Sequence, residues 1–133
     1  MQKTFRREMA SLEDIFTFLR HFFDCEHLDR RHLFTLSLAA EELFTNMVKY
    51  NPGNTNDISI EISTTGDRVC LTLTDHDVDF FDVTRERRAP RGVPLQDLQA
   101  GGLGLCIVQQ AVDGISYDYD DRRSTVTVTK KLR

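Results

Sequence analysis

Two alternating runs dominate the middle of the chain: Ile58, Ile60 and Ile62, then Val69, Leu71 and Leu73, separated by Thr65-Gly66-Asp67-Arg68. A period of two places each apolar set on one side of a strand, and the Gly-Asp pair permits a tight turn between them. The expected product is a β-hairpin with one apolar face. Such a face is stable only when a second layer covers it, so the hairpin demands helices elsewhere in the chain.

The helices are legible upstream. Leu12, Ile15, Phe16, Leu19, Phe22 and Phe23 recur at helical spacing and predict an amphipathic helix over 12–24, with Ser11 as N-cap and Asp14 completing an approximate capping box. Thr4 to Met9 reads as a short edge strand, and Glu26 to Arg31 as a polar turn. A longer helix is expected over about 31–50, buried along Phe34, Leu38 or Ala39, Leu43, Met47 and Tyr50, and stopped by Asn51-Pro52-Gly53-Asn54. Residues 76–100 lose all periodicity, as a functional loop or lid does. The glycine-rich run 101–105 then leads into a helix expected at 103–113, followed by strands over Ile115 to Tyr119 and Thr125 to Val128. The order β-α-α-β-β-lid-α-β-β predicts an α+β two-layer sandwich, with helices on one face of a mixed, mostly antiparallel sheet.

At 133 residues the chain is read as one domain, 1–133. Its 40% hydrophobic and 29% charged residues describe an ordinary globular protein, and a net charge of −4 argues against a general nucleic-acid binder. No apolar run has the length of a membrane span, and Met1-Gln2-Lys3 is not followed by a signal-type apolar block. Cys25, Cys70 and Cys106 lie among apolar neighbours, and the expectation is buried free thiols in a reducing cytoplasm. His21, His27, His32 and His76 are scattered without zinc spacing and read as surface or core side chains.

Three polar stations carry the candidate chemistry. Glu42 and Asn46 are one helical turn apart, so a carboxylate and an amide share one stripe. That pair can hold a hydrated metal ion while the carboxylate works on a nucleophile; the alternative is a solvated face with Glu41 and Lys49. Asp75 ends the strand Val69 to Thr74, where an aspartate can accept from an exocyclic amine or simply shape a turn. Gly101-Gly102-Leu103-Gly104-Leu105 opens a helix, and glycines there let backbone N–H groups approach a phosphate at the positive end of the helix. A calcium loop is a competing reading of Asp75, Asp77, Asp79 and Glu86, but Phe80 stands where the turn needs glycine and a strand precedes it. Arg85, Arg87, Arg88 and Arg91 crowd the loop beside the phosphate cradle.

Taken in order, these stations resemble the GHKL (Bergerat-fold, HATPase_c) superfamily, in particular the small anti-sigma factor serine/threonine kinases. Leu38 to Tyr50 is similar to the N box, Leu73 to Phe80 to the G1 box, and Gly101 to Leu105 with Ile107-Val108 to the G2 box; the resemblance runs from the first strand to Lys130-Lys131-Leu132. It implies the Bergerat ATP-binding fold, a single histidine-kinase-like ATPase domain, an ATP lid over about 79–100, and ATP and Mg2+ as cofactors. By the same resemblance Glu42 would be the general base, Asn46 the magnesium ligand and Lys49 a phosphate contact. Asp75 would bind the adenine amine, Gly101, Gly102, Leu103, Gly104 and Leu105 would cradle the phosphates, and Thr125 would add an adenine-side contact. The implied activity is a cytoplasmic regulatory kinase, a transcription switch that sequesters a sigma factor and phosphorylates a STAS-domain anti-anti-sigma protein. A homodimer is also implied, with neither nucleic acid nor membrane as a direct partner. The alternative is a non-catalytic interaction module of the same fold, with weak or no ATP binding. It draws on Asp77 and Asp79, which stand where the G1 box carries glycine and add bulk and charge near the base.

Overall fold

A computed structural model describes residues 1–51, 53–80 and 100–132 of the chain. The hairpin forms as the alternation requires: β2 (Ile58–Thr65) and β3 (Arg68–His76) pair antiparallel, with Ile60 opposite Leu73 and Ile62 opposite Leu71. Gly66 supplies the left-handed turn residue at φ 62°. The hairpin sits inside a five-stranded sheet of order β1-β2-β3-β5-β4, where β1 is Gln2–Phe5, β4 is Gly114–Asp120 and β5 is Arg123–Lys131. Every pairing among the described strands is antiparallel, so the expected mostly antiparallel sheet has no parallel pair there. Asp121 and Arg122 both take positive φ, 48° and 58°, and close the β4–β5 hairpin in two residues.

One face of this sheet is covered by α1 (Leu12–Cys25) and α2 (Arg30–Tyr50), and α3 (Ala100–Ala111) packs on α2. Ile58, Ile60, Ile62, Val69, Leu71, Leu73, Val126 and Val128 are buried with Ile15, Leu19, Phe23, Leu36, Leu43 and Phe44 in a single core. Removing that apolar surface from water is the main force holding the two layers together.

Local differences from the sequence expectations have physical causes. Ser11 occupies the N-cap position of α1 as expected, but its side chain makes no capping bond. It lies in a short 3-10 turn, Met9–Ser11, and its Oγ donates to the Arg6 carbonyl at 2.8 Å, which fastens the β1–α1 connection. The cap of α2 is Asp29, whose carboxylate accepts from the Arg31 amide at 3.0 Å. Phe34 is 74% exposed although it was expected in the core, because the buried stripe of α2 runs through His32, Leu36, Ala39, Ala40, Leu43 and Met47. Phe34 lies outside that i, i+4, i+7 track. Cys25 is exposed and Cys70 and Cys106 are half-buried, so the thiols are not the buried ones expected. The third helix begins three residues earlier than expected and takes the glycine run into its own first turns. Glycine disfavours helix by about 1 kcal/mol relative to alanine, and here close packing on α2 overrides that preference. The lid expected over about 79–100 lies, except for Asp79, Phe80 and Ala100, outside the described residues.

These positions make the shifted α2 stripe measurable. Leu36→Ala should destabilise the fold by about 2–4 kcal/mol through its cavity, whereas Phe34→Ala should stay within about 0.5 kcal/mol. Urea denaturation of the two variants checks this; equal losses would put Phe34 back in the core.

Candidate functional site

The site is built where α2, the end of β3 and the start of α3 meet. On α2, Glu42 and Asn46 project one turn apart; Glu42 is half-buried and Asn46 is 8% exposed. Gly104 of α3 lies directly against the Glu42 carboxylate, so closely that a Cβ at Gly104 would collide with Cδ and both Oε atoms. With glycine at this position the Glu42 carboxylate can lie directly against α3; a larger residue would push the carboxylate aside. Burial, and then the neighbouring Glu41 charge, push the Glu42 carboxyl above its usual value. A carboxylate so displaced is a better proton acceptor than a solvated one.

Asp75 occupies the floor. It is 1% exposed at the end of β3, and its carboxylate is paired with the Arg7 guanidinium. Asn51 Nδ2 lies 3.4 Å from Oδ2. Burial is the main cause raising the Asp75 carboxyl above its ordinary value, and Arg7 and His76 oppose it. Arg7 was not among the residues singled out from the sequence, because its role needs a span of 68 residues. It also donates to the Met47 carbonyl at 2.9 Å and to the Asn56 carbonyl at 3.2 Å.

The register of β5 decides which hydroxyl joins the floor. Asp75 pairs with Ser124, while Thr125 pairs with Thr74. Side chains of directly paired residues share a face, so Ser124 stands beside Asp75 and Thr125 faces the opposite side of the sheet. Ser124 is 3% exposed and its Oγ has no hydrogen-bond partner. The structure therefore brings Ser124, not Thr125, to the carboxylate. A one-residue offset in strand register separates the two, and the alternation Ser124-x-Val126-x-Val128 on the buried face is the sequence signal that could have found it.

Lys49 is exposed, with its Nζ 5.5 Å from the centre of the Tyr50 ring. Gly101, Gly102 and Leu103 lie in the first turn of α3, where backbone N–H groups lack helical partners. Leu105 is 3% exposed and its side chain belongs to the core.

A cleft of about 350 Å³ opens beside this floor, lined by residues that include Tyr50, Asn51, Asn54, Asp77, Asp79 and Arg122. Asp77 has φ 57°, a conformation that favours glycine. The surroundings hold it there. Arg122 Nε donates to Asp77 Oδ1 and Nη1 to Asp79 Oδ1, both at 2.9 Å, while Asn54 Nδ2 donates to the Asp77 carbonyl at 3.1 Å. Val78 is tied to the same hairpin, its amide donating to the Arg122 carbonyl at 3.0 Å and its carbonyl accepting from Tyr119 Oη at 2.8 Å. Phe80 meets the Tyr117 and Tyr119 rings edge-on. Arginines thus take up all three aspartates that the calcium reading would have needed.

The donor set fits a purine nucleotide. A buried hydroxyl without a partner, Ser124 Oγ, stands beside the buried Asp75 carboxylate, a place for a polar ligand. Comparison with known proteins agrees. Residues 5–130 match the family described as "Histidine kinase-like ATPase domain". The chain belongs to this family of histidine kinase-like ATPases. The family implies ATP binding. The chain is 29% identical to the serine/threonine-protein kinase BtrW of Bordetella bronchiseptica over 118 residues, 87% of this chain and 82% of that one. It is 31% identical to the serine-protein kinase RsbW of Halalkalibacterium halodurans over 103 residues, 74% of this chain and 62% of the relative. In structure it is similar to a chain in the crystal structure of the SiaB–SiaC complex from Pseudomonas aeruginosa. That likeness has a TM-score of 0.65 at 16% identity, over 98% of this chain and 87% of that chain, and supports the fold. Among the described residues no helix is long and apolar enough to cross a membrane.

Two substitutions probe this geometry. Gly104→Ala should displace the Glu42 carboxylate and lower any phosphoryl transfer far more than ATP binding, read by phosphorylation assay and calorimetry side by side. Asp77→Gly should tighten ATP binding by about a few-fold, since it relieves the left-handed backbone and removes an exposed, partly screened negative charge from the cleft. Weaker binding by Asp77→Gly in calorimetry would show that the Arg122 clasp is needed by the nucleotide.

Proposed function

We propose that this protein is an ATP-dependent regulatory serine/threonine kinase of the anti-sigma factor type. It holds a sigma factor and phosphorylates a STAS-domain antagonist. The observation that carries the reading is the Glu42–Gly104 contact, which brings a half-buried carboxylate of raised basicity to the glycine-rich start of α3. A merely solvated acidic helix face would need no glycine opposite it.

In this reading the γ-phosphoryl group of ATP passes to the serine oxygen and ADP leaves; Asn46 would hold a magnesium ion, which would offset phosphate charge. Glu42 accepts the proton of the incoming serine hydroxyl. Asp75 and Ser124 grip the base, and the free amides in the first turn of α3 hold phosphate oxygens. Lys49, exposed near the end of α2, serves as a mobile phosphate contact. The single-domain organisation over 1–133 and the lid over about 79–100 belong to this proposal. So do a homodimer, a cytoplasmic location and a role in transcription regulation.

The second reading, a non-catalytic interaction module, has its own observation. The Arg122 clasp on Asp77 and Asp79 fixes the segment after β3 where a glycine-rich box would leave it free.

The decisive experiment is phosphoryl transfer to a STAS-domain protein together with ATP binding. Glu42→Ala should lower transfer by ~10²–10⁴ while ATP binding stays within a few-fold, because a general base acts on the nucleophile. Asn46→Ala should weaken both, and Glu41→Ala, one position round the helix, should stay close to the parent. ATP binding without transfer to any STAS-type substrate selects the interaction module; equal effects of Glu41→Ala and Glu42→Ala would remove Glu42 as base.

A further inference from the structure

Arg7 is the group that the nucleotide reading leaves unexplained. Its side chain is 5% exposed and its guanidinium is divided between the Asp75 carboxylate, the Met47 carbonyl and the Asn56 carbonyl. Met47 lies in the last turn of α2, where carbonyls lack helical partners and the helix end favours positive charge. Arg7 follows β1 at the outer side of the sheet, where Phe5 pairs with Ile58 of β2, while Asp75 of β3 pairs with Ser124 of β5. Arg7 therefore reaches Asp75 from the β1 side of the sheet, whereas Ser124 flanks it on the β5 side.

Chemistry gives this placement a consequence. An ionised carboxylate only accepts hydrogen bonds, whereas a neutral carboxyl both donates and accepts. A buried carboxylate without a counter-charge becomes neutral. An acceptor-only carboxylate beside a hydroxyl able to donate complements a base edge with an exocyclic amine next to a ring nitrogen acceptor. A neutral carboxyl pairs equally well with an edge that carries a carbonyl next to a ring N–H.

We propose that Arg7 sets the base specificity of the nucleotide site, acting as the buried counter-charge that keeps Asp75 an acceptor-only group selective for a 6-amino purine. Arg7 is a positioning residue here, since it acts through Asp75. The inference rests on the nucleotide-site reading above. The charged groups facing Asp75 among the described residues are Arg7, from the β1–α1 connection, and His76, on its own strand. From α2's end comes the uncharged Asn51, and from β5 the uncharged Ser124.

The test compares ATP with inosine triphosphate, which replaces the 6-amino group by a carbonyl, by calorimetry on the parent chain, R7K, R7Q, D75N and the R7Q/D75N double variant. The parent should prefer ATP by about ten-fold or more, the range expected when a buried charged group is left without its partner. R7Q should bring the ATP-to-inosine-triphosphate ratio close to one, and R7K should restore part of it. The sign with pH follows from Asp75: loss of Arg7 raises its carboxyl further, so as pH is lowered ATP binding by R7Q should begin to fall at a higher pH than in the parent. Because Arg7 acts through Asp75, R7Q/D75N should discriminate no worse than D75N alone.

A second measurement needs no nucleotide. Carboxyl carbon NMR of Asp75 should show it ionised at neutral pH in the parent and titrating at higher pH in R7K, where the fork is lost. Should R7Q fail to fold, R7K and this titration decide the matter. An unchanged base ratio and pH profile in the Arg7 variants, with both nucleotides weakened equally, would reduce Arg7 to a tether. A parent chain that binds neither nucleotide overturns the nucleotide-site reading itself, which distinguishes that failure from the failure of Arg7 alone.

Discussion

The buried pairing of Arg7 with Asp75 is the constraint around which the site is arranged. One guanidinium joins the connection after β1, the last turn of α2, the loop before β2 and the end of β3. Removing one member of a buried pair typically costs about 3–5 kcal/mol, because the other charge is stranded. Such a pair gives little net stability over an apolar substitute, so its value lies in geometry. It fixes how α2 meets β3, and therefore where Glu42 and Asn46 stand relative to Asp75 and Ser124.

A second arginine does comparable work outside the core. Asp77 takes a backbone conformation that glycine adopts at no steric cost, and Arg122 braces it while reaching Asp79 as well. The pairs are exposed, so each contributes little to stability alone. Their effect accumulates with the Val78 backbone bond, the Tyr119 hydroxyl and the Phe80 ring contacts, all on the β4–β5 hairpin. The segment leaving β3 is thereby aimed at one edge of the cleft. This chain replaces the freedom of glycine with a clasp.

Much of the fold was legible because its signals are local. Period two gave the hairpin faces, helical spacing gave α1 and the extent of α2, and the Gly66 turn followed from its position between two apolar runs. The family assignment was equally legible, since the N, G1 and G2 boxes are contiguous strings. What failed depended on contacts. Phe34 looked like core because the apolar stripe of α2 can be drawn in two ways, and only the position of α3 and the sheet chooses between them. The glycine run looked like a turn because its propensity is poor for helix, and the Glu42 contact that rewards helix comes from another element.

The sequence alone indicated most of the elements, the family, and Glu42, Asn46, Asp75 and the glycines as candidate site residues, because these rest on spacing along a single segment. Tertiary structure decided which residues complete the floor. Ser124 rather than Thr125 stands beside Asp75 because register across β3 and β5 sets the face, and a shift of one residue reverses it. Arg7 meets Asp75 across 68 positions because the strand order carries the end of β1 past β2 to the end of β3. Contacts of that range depend on the closed sheet, and no local pattern encodes them.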